Sequence, residues 1–308
     1  MALNADQHRL GATEHQAIFD QVIKPRVFST NQSVVRPVAI IFGGQPGAGK
    51  SASVELAEQE LELRGGCVQI IGDDFRKFHP GFGGLLRNDD KTAAFYTDRD
   101  TGQWVEKAIA HAKELRTNIL IEGTMRDSDK VAQTMQSLRA VGYEIDARAL
   151  AVNGMLSLQG ILQRYENQKA DRGIGRMTTP EAHEAAYDGM PITLERIELE
   201  KLADRVTLYR RGGLSIYTNT LQDGAWAKEP QARAALVAER SRPLTQDELQ
   251  SYVQGYDSLV ELMARPGRGA TDKELAVVRT LRAQAQALTG RVFGQQHPTK
   301  VVRPSMTP

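Results

Sequence analysis

The sequence predicts a doubly wound α/β fold: a largely parallel sheet with helices on both faces, followed by a C-terminal helical appendage. Two observations predict it. Between residues 35 and 220, short apolar runs alternate with longer helical patterns, as strand–helix–strand units require. One of those runs, "PVAIIF", leads directly into the glycine-rich "GGQPGAGKS" of residues 43–51 and then into a helical pattern. A continuously apolar run of that length suits a parallel strand buried on both faces.

The elements follow in order. In "TEHQAIFDQVIK" (13–24), Ile18, Phe19, Val22 and Ile23 share a helical spacing, Thr13 serves as N-cap and Pro25 as stop. This helix belongs to an N-terminal segment, 1–34. The α/β domain, 35–220, opens with the strand "VAIIF" (38–42) and a helix from Lys50 to about Leu63, closed by Gly65-Gly66. The strand "CVQII" (67–71) and a short helix from Phe75 come next. Then follow a helix over 103–115, the strand "NILIE" (118–122) and a helix over 128–140 ending at Gly142. The strand "EIDARALAV" (144–152), a long helix through "MLSLQGILQRYENQKA" and a last strand "RVTLYRR" (205–211) complete the domain. Residues 221–292 show helical patterning alone and form the appendage. The tail, 293–308, has little apolar content and no period, so disorder is expected there.

Composition narrows the function classes. Hydrophobic residues make up 41% of the 308, enough for a substantial core. Lys plus Arg total 39 and Asp plus Glu total 38, a balance that gives no reason to expect nucleic acid or an anionic membrane as partner. The single cysteine, Cys67, excludes an internal disulfide framework and suits a reducing compartment; it is expected to be a buried strand residue. The N-terminus has no basic region followed by an apolar one, and no apolar run approaches the ~20 residues of a membrane span. A soluble, cytoplasmic protein is expected.

The chemistry begins at Gly44–Ser51, which spells G-x-x-x-x-G-K-S, the P-loop pattern. Gly44, Gln45, Pro46, Gly47, Ala48 and Gly49 form a loop whose amides approach phosphate, and the helix behind it adds its positive end. Lys50 supplies a cation for the β- and γ-phosphates, and the Ser51 hydroxyl is a Mg²⁺ ligand. ATP (or GTP) and Mg²⁺ are the cofactors expected. A switch GTPase would need N-K-x-D after a strand, and none is present. Glu122, at the end of "NILIE", stands where a motor ATPase would hold Mg²⁺, but no other motor feature accompanies it.

A small-molecule kinase needs a carboxylate for the acceptor hydroxyl and cations over the transferred phosphoryl group. Asp73 and Asp74 end the second strand, and ligands of open α/β sheets bind beyond strand carboxyl ends. One of the two is expected to react and the other to cap the following helix. The cations lie in "RYENQKADRGIGR" (164–176), where Arg164, Lys169, Arg172 and Arg176 fall on a helix end and a glycine-containing loop. A non-catalytic nucleotide-dependent interaction protein would need neither feature. A nucleic-acid kinase is disfavoured by the charge balance.

Four blocks, "GGQPGAGKS", "GDDFRKFHPGF", "IEGT" and "RYENQKADRGIGRMT", resemble the zeta-toxin family in motif, order and spacing across residues 35–220. The resemblance implies a P-loop kinase fold and a kinase that phosphorylates the 3′-hydroxyl of UDP-N-acetylglucosamine with ATP or GTP, poisoning peptidoglycan precursor synthesis. It also implies a small epsilon-type antitoxin as partner. On the family's pattern Asp73 is the catalytic base, leaving Asp74 as the cap. Lys50, Arg164 and Arg176 handle phosphate, and His79, Glu106, Glu122, Thr124 and Thr134 lie on the substrate side. His79 is expected to shape the loop after the base. The segment "GFGGLLRNDDKTAAFYTDRD" (81–100), where the acceptor pocket should be shaped, departs from the family's pattern.

Overall fold

The computed structural model describes residues 4, 6–29 and 32–296. It divides into two compact units, Met1–Arg242 and Pro243–Pro308. The first unit begins with a helix in three pieces: α1 (Ala12–Ile18), a π-helical turn (Phe19–Ile23) and α2 (Lys24–Val27). The helix therefore passes through Pro25 instead of stopping there. Proline has no N–H to give to the preceding turn. The wide turn before it, in which Lys24 N–H bonds Phe19 O, takes up that loss.

The remaining elements of this unit are β1 (Val38–Gly43), α3 (Ser51–Glu62), β2 (Val68–Ile71), α4 (Gly72–Phe75) with a 3₁₀ turn (Arg76–Phe78), α5 (Phe82–Asn88) and α6 (Ala93–Leu115). They continue with β3 (Ile119–Gly123), α7 (Ser128–Arg139), β4 (Glu144–Leu150), α8 (Gly154–Arg172) and α9 (Pro180–Leu199). The unit closes with β5 (Arg205–Tyr209), β6 (Ser215–Gln222), β7 (Ala225–Trp226) and α10 (Ala232–Ser241).

The described strands form one seven-stranded sheet in the order β2-β3-β1-β4-β5-β6-β7. The first five run parallel, and β6 and β7 add antiparallel strands at one edge. Every residue of β1 is buried, because this strand lies inside the sheet with helices on both faces. Its alternate side chains feed two cores. Ala39 and Ile41 join Trp104, Met135, Leu138 and Leu194 on one face. Val38, Ile40 and Phe42 join Val54, Ala57 and Leu61 of α3 on the other. Each buried aliphatic or aromatic side chain contributes about 1.5–3 kcal/mol relative to exposure. The parallel strands thereby aim all their carboxyl ends at one rim of the sheet.

Two further expectations are corrected, and one helix was not expected. The strand at 205–211 is not the last: the glycine pair Gly212-Gly213, both with positive φ, turns the chain into β6. β6 carries no apolar alternation, since its one buried residue is Asn219. That amide is held by Glu198 Oε1 and by the carbonyl of Lys228. α6 begins at Ala93 rather than 103. Its first half is polar, yet Thr97, Asp100 and Thr101 are buried. The Arg76 guanidinium fixes it by donating to Ala94 O and Asp98 Oδ1, both at 2.7 Å. The helix not expected is α9, which contains Gly189 and Pro191 and which Thr179 caps by accepting from Ala182 N.

The second unit holds α11 (Gln246–Met263) and α12 (Asp272–Gln296). Thr245 and Glu248 make a reciprocal capping box at the start of α11. Arg282 of α12 pairs with Asp257 of α11 at 2.5 Å. α12 runs to Gln296, so it enters the segment expected to be disordered; residues 297–308 of that segment lie outside the described residues.

Candidate active site

Loop 44–50 joins β1 to α3 and is held by direct backbone contact with α8. Gly47 and Gly49 have φ of 76° and 89°, the left-handed region that glycine occupies freely. A Cβ on Gly47 would lie 1.9 Å from Ser157 O, and one on Gly160 would lie 2.3 Å from Gly47 O. Glycine is thus required on both sides of this contact. Ala48 is fully buried and its amide bonds Gln45 O. Gly44 is buried and Pro46 half-buried at the turn. From outside, Arg211 donates to Gly47 O at 2.7 Å and Ala48 O at 3.1 Å.

Lys50 ends the loop. Its Nζ donates to Gly44 O at 2.8 Å and lies 3.5 Å from Glu122 Oε1. Burial draws the ammonium below its usual pKa, while Glu122 and Asp73 pull in the opposite direction. Ser51 is the exposed first residue of α3. That position gives an oxygen donor of the kind Mg²⁺ accepts alongside phosphate oxygens. Among the described residues no group of three or more His, Cys, Asp or Glu side chains stands ready to hold a metal.

Asp73 lies in the first turn of α4, at the carboxyl end of β2. The helix starts at Gly72 rather than Phe75, so Asp74 is not its cap; it is exposed and α4 has no side-chain cap. Asp73 Oδ1 and Oδ2 accept from Arg176 Nη1 and Nη2, both at 2.5 Å, and Oδ1 lies 3.2 Å from Arg76 Nε. Burial alone would raise this carboxyl, but Arg176, Arg76 and Arg164 outweigh it and hold the group well below the usual carboxylate range. The Asp73 side chain is 42% exposed, so it opens onto the cleft.

The two arginines come from α8 and the loop beyond it. Arg164 donates through Nη2 to Thr178 Oγ1 at 2.7 Å, while its buried Nε has no partner in the chain. Burial and then the charge of Arg176 lower its pKa. A buried guanidinium with a spare donor beside a second guanidinium fits an anion. Gly173, with φ of 76°, ends α8 and releases the loop bearing Arg176. Asp90 anchors that loop: its carboxylate accepts from Gly175 N at 3.2 Å and Tyr165 Oη at 2.8 Å, and it pairs with Lys169. Lys169 is therefore an anchor, and Arg172 binds Ile174 O at the helix end.

The substrate-side residues are more scattered. Glu122 joins the cleft through Lys50, and Thr124 is half-buried on the loop after β3. The next residue, Met125, adopts φ of 51° and is pinned by Thr193 Oγ1 on its carbonyl at 2.7 Å. Glu106 is exposed on α6 and pairs with Lys130 at the start of α7. Thr134 lies one turn, about 6 Å, further along α7, its hydroxyl donating to Lys130 O. His79 is buried, with Nε2 against His8 O and Nδ1 accepting from Gly81 N, so it shapes the turn after Asp73.

Known proteins resemble this chain in sequence and fold. The profile described as "Zeta toxin" matches residues 24–222. The chain belongs to the zeta toxin family. It is 31% identical to the toxin zeta of Enterococcus hirae over 220 residues, 71% of this chain and 74% of that one. It is 32% identical to the toxin PezT of Streptococcus pneumoniae over 187 residues, 60% of this chain and 73% of that one. A solved chain from the PezAT chromosomal toxin–antitoxin system of Streptococcus pneumoniae superposes with a TM-score of 0.69 at 25% identity, covering 84% of this chain and 100% of that one. The AvrRxo1-ORF1:AvrRxo1-ORF2 complex, with TM-score 0.52 and 13% identity over 90% of this chain and 88% of that one, shares the fold alone. The zeta toxin family and the P-loop kinase-like fold expected from the sequence are both borne out.

Several residues around this candidate site gave little or no sequence signal as single letters. Asp90, Arg211 and Gly160 act through contacts far along the chain, and Arg76 ties Asp73 to α6. Only Gly160, a glycine inside a helical pattern, carried a local hint of close backbone approach.

Proposed function

We propose that this zeta toxin family member is a kinase that moves the γ-phosphoryl group of ATP or GTP to a hydroxyl of a UDP-sugar. The 3′-hydroxyl of UDP-N-acetylglucosamine is the acceptor the family resemblance favours. The observation that carries the reading is the meeting of Asp73, Lys50, Arg164 and Arg176, from four segments: Arg176 forks onto both Asp73 oxygens, and the charges of Asp73 and Arg164 act on Lys50. A phosphate loop alone binds; a carboxylate facing cations across it also supports transfer.

In this reading, loop 44–51 holds the nucleotide phosphates and Asp73 orients the acceptor hydroxyl in line. Asp73 is a weak base because the arginines depress it. Phosphoryl transfer through a loose transition state needs positioning more than basicity, since the hydroxyl proton leaves late. Lys50, Arg164 and Arg176 stabilise the charge that develops on the transferred group. Mg²⁺ held by Ser51 would add charge neutralisation on the phosphates. The protein would act in the cytoplasm as a toxin that blocks cell-wall precursor synthesis, silenced by a small helical antitoxin. The described helices include none long and apolar enough to cross a membrane.

The test is transfer of label from γ-³²P-ATP, with Mg²⁺, to UDP-N-acetylglucosamine, other UDP-sugars, nucleosides and an aminoglycoside. A phosphorylated UDP-sugar, lost in Asp73→Asn, is the expected product. Labelling of another acceptor instead would move the substrate class. Intact nucleotide binding with no labelled acceptor would overturn the kinase reading.

A further inference from the structure

We propose that Arg240, on α10, is a positioning residue that holds the phosphate loop in shape through the side chain of Gln45. The proposal rests on loop 44–51 being a nucleoside triphosphate site. Gln45 is fully buried near the start of that loop, and each end of its amide has a partner. Its Nε2 donates to Val152 O at 2.8 Å and lies 3.3 Å from Ser157 Oγ, which in turn meets His183 Nε2 at 2.8 Å. Its Oε1 accepts from Arg240 Nη2 at 2.9 Å.

Arg240 is 4% exposed and comes from beyond residues 24–222, the extent of the family match. It is docked by a vacancy in α9. Pro191 has no N–H for the carbonyl four residues earlier, and that carbonyl, Tyr187 O, accepts from Arg240 Nη1 at 2.7 Å. The guanidinium also lies 4.1 Å from the Tyr187 ring centroid. Burial lowers its pKa to about 10, so it is charged at neutral pH and makes charge-assisted bonds. The adjacent Glu239 adds a second brace. It accepts from Arg210 Nε and Nη2, both at 2.8 Å, and Arg210 precedes the Arg211 that grips Gly47 O and Ala48 O. α10 thus supports the loop from its buried side through Gln45 and from its outer side through Arg211.

The experiment uses the full chain and a fluorescent ATP analogue, mant-ATP, whose binding needs no acceptor. Arg240→Met should raise the Kd for mant-ATP by roughly tenfold or more, the scale of one buried charge-assisted hydrogen bond, with native circular dichroism. In a Gln45→Met background the same substitution should have under about twofold effect, because the partner is already gone. Arg240→Lys should fall between. Equal effects in both backgrounds, or a folded Arg240→Met that binds like the wild type, would overturn the proposal. Should Arg240→Met not fold, hydrogen exchange of the 44–51 amides in Arg240→Lys decides: faster exchange supports it and unchanged exchange refutes it. Wild-type binding without phosphoryl transfer would defeat the kinase reading and leave this inference standing. Failure of the wild type to bind mant-ATP would defeat both.

Discussion

Arg176 and Asp73 lie 103 residues apart in the chain and meet in a two-bonded fork, each N–O distance 2.5 Å. The fork joins the residue assigned to the acceptor hydroxyl to one assigned to the transferred phosphate. It also sets the ionisation of the carboxylate, which is where the first prediction lies.

Burial pushes the Asp73 carboxyl up and the three arginines hold it down, with the arginines prevailing. A depressed folded-state value means that its contribution to stability is present above the ordinary unfolded value of ~3.9 and is lost only as pH falls through the depressed one. The wild type should therefore show no Asp73 titration between pH 5 and 8. In Arg176→Ala the opposing charge is reduced and the carboxyl moves up. Carbon-13 NMR of labelled aspartate carboxyls, titrated in both proteins, checks this; a midpoint unchanged or lower in the variant contradicts it.

Asp73→Asn should cut transfer by about 10²–10⁴-fold while leaving mant-ATP binding within a few-fold of wild type. Asp74→Asn should be close to wild type, since Asp74 is exposed and makes no cap. Steady-state rates of the two variants decide the assignment, and the opposite ranking would transfer the role to Asp74.

Lys50→Ala should weaken both binding and turnover, because Lys50 is placed on the loop and not only at the reacting end. Titration calorimetry with ATP and a rate assay should fall together. A variant that loses turnover with unchanged ATP affinity would restrict Lys50 to the transition state.

Gly47→Ala should destroy the loop. The new methyl would sit 1.9 Å from a backbone oxygen of α8, and the left-handed backbone adds on the order of 1–3 kcal/mol of strain. Loss of mant-ATP binding with a lowered melting temperature is expected. Near-normal binding would show that the loop and α8 can separate freely.

Asp90→Ala should lower kcat on the order of tenfold or more, by loosening the loop that bears Arg176. Gly175 N would lose its carboxylate and Lys169 its ion-pair partner. Limited proteolysis within 173–177 should accelerate in parallel. Wild-type kcat with unaltered proteolysis would remove Asp90 from this role.

The parallel strands were legible because burial on both faces leaves unbroken apolar runs, as in "VAIIF". The phosphate loop was legible because its glycines are dictated by backbone geometry. β6 was not, since its buried residue is an asparagine whose partners lie on α9 and beyond β7. Nor was the first half of α6, where an arginine from another segment holds buried polar groups. Asp73 could be placed at a strand end from sequence, but residues alone leave the choice between it and Asp74 open. That choice depends on Arg76, Arg164 and Arg176 arriving in space. Local pattern reports burial and turns; a hydrogen bond across a hundred residues leaves no period.

α8 touches the phosphate loop at Gly160, carries Arg164 one turn later and hands the chain to the Arg176 loop at Gly173. A helix advances 1.5 Å and turns about 100° with each residue. Adding or deleting one residue between positions 160 and 164 would swing Arg164 about 100° off the cleft without altering any other letter. This stretch can therefore drift in composition but not in length. Family members that keep the site should align through 157–173 without a gap, however far the rest of their sequences diverge.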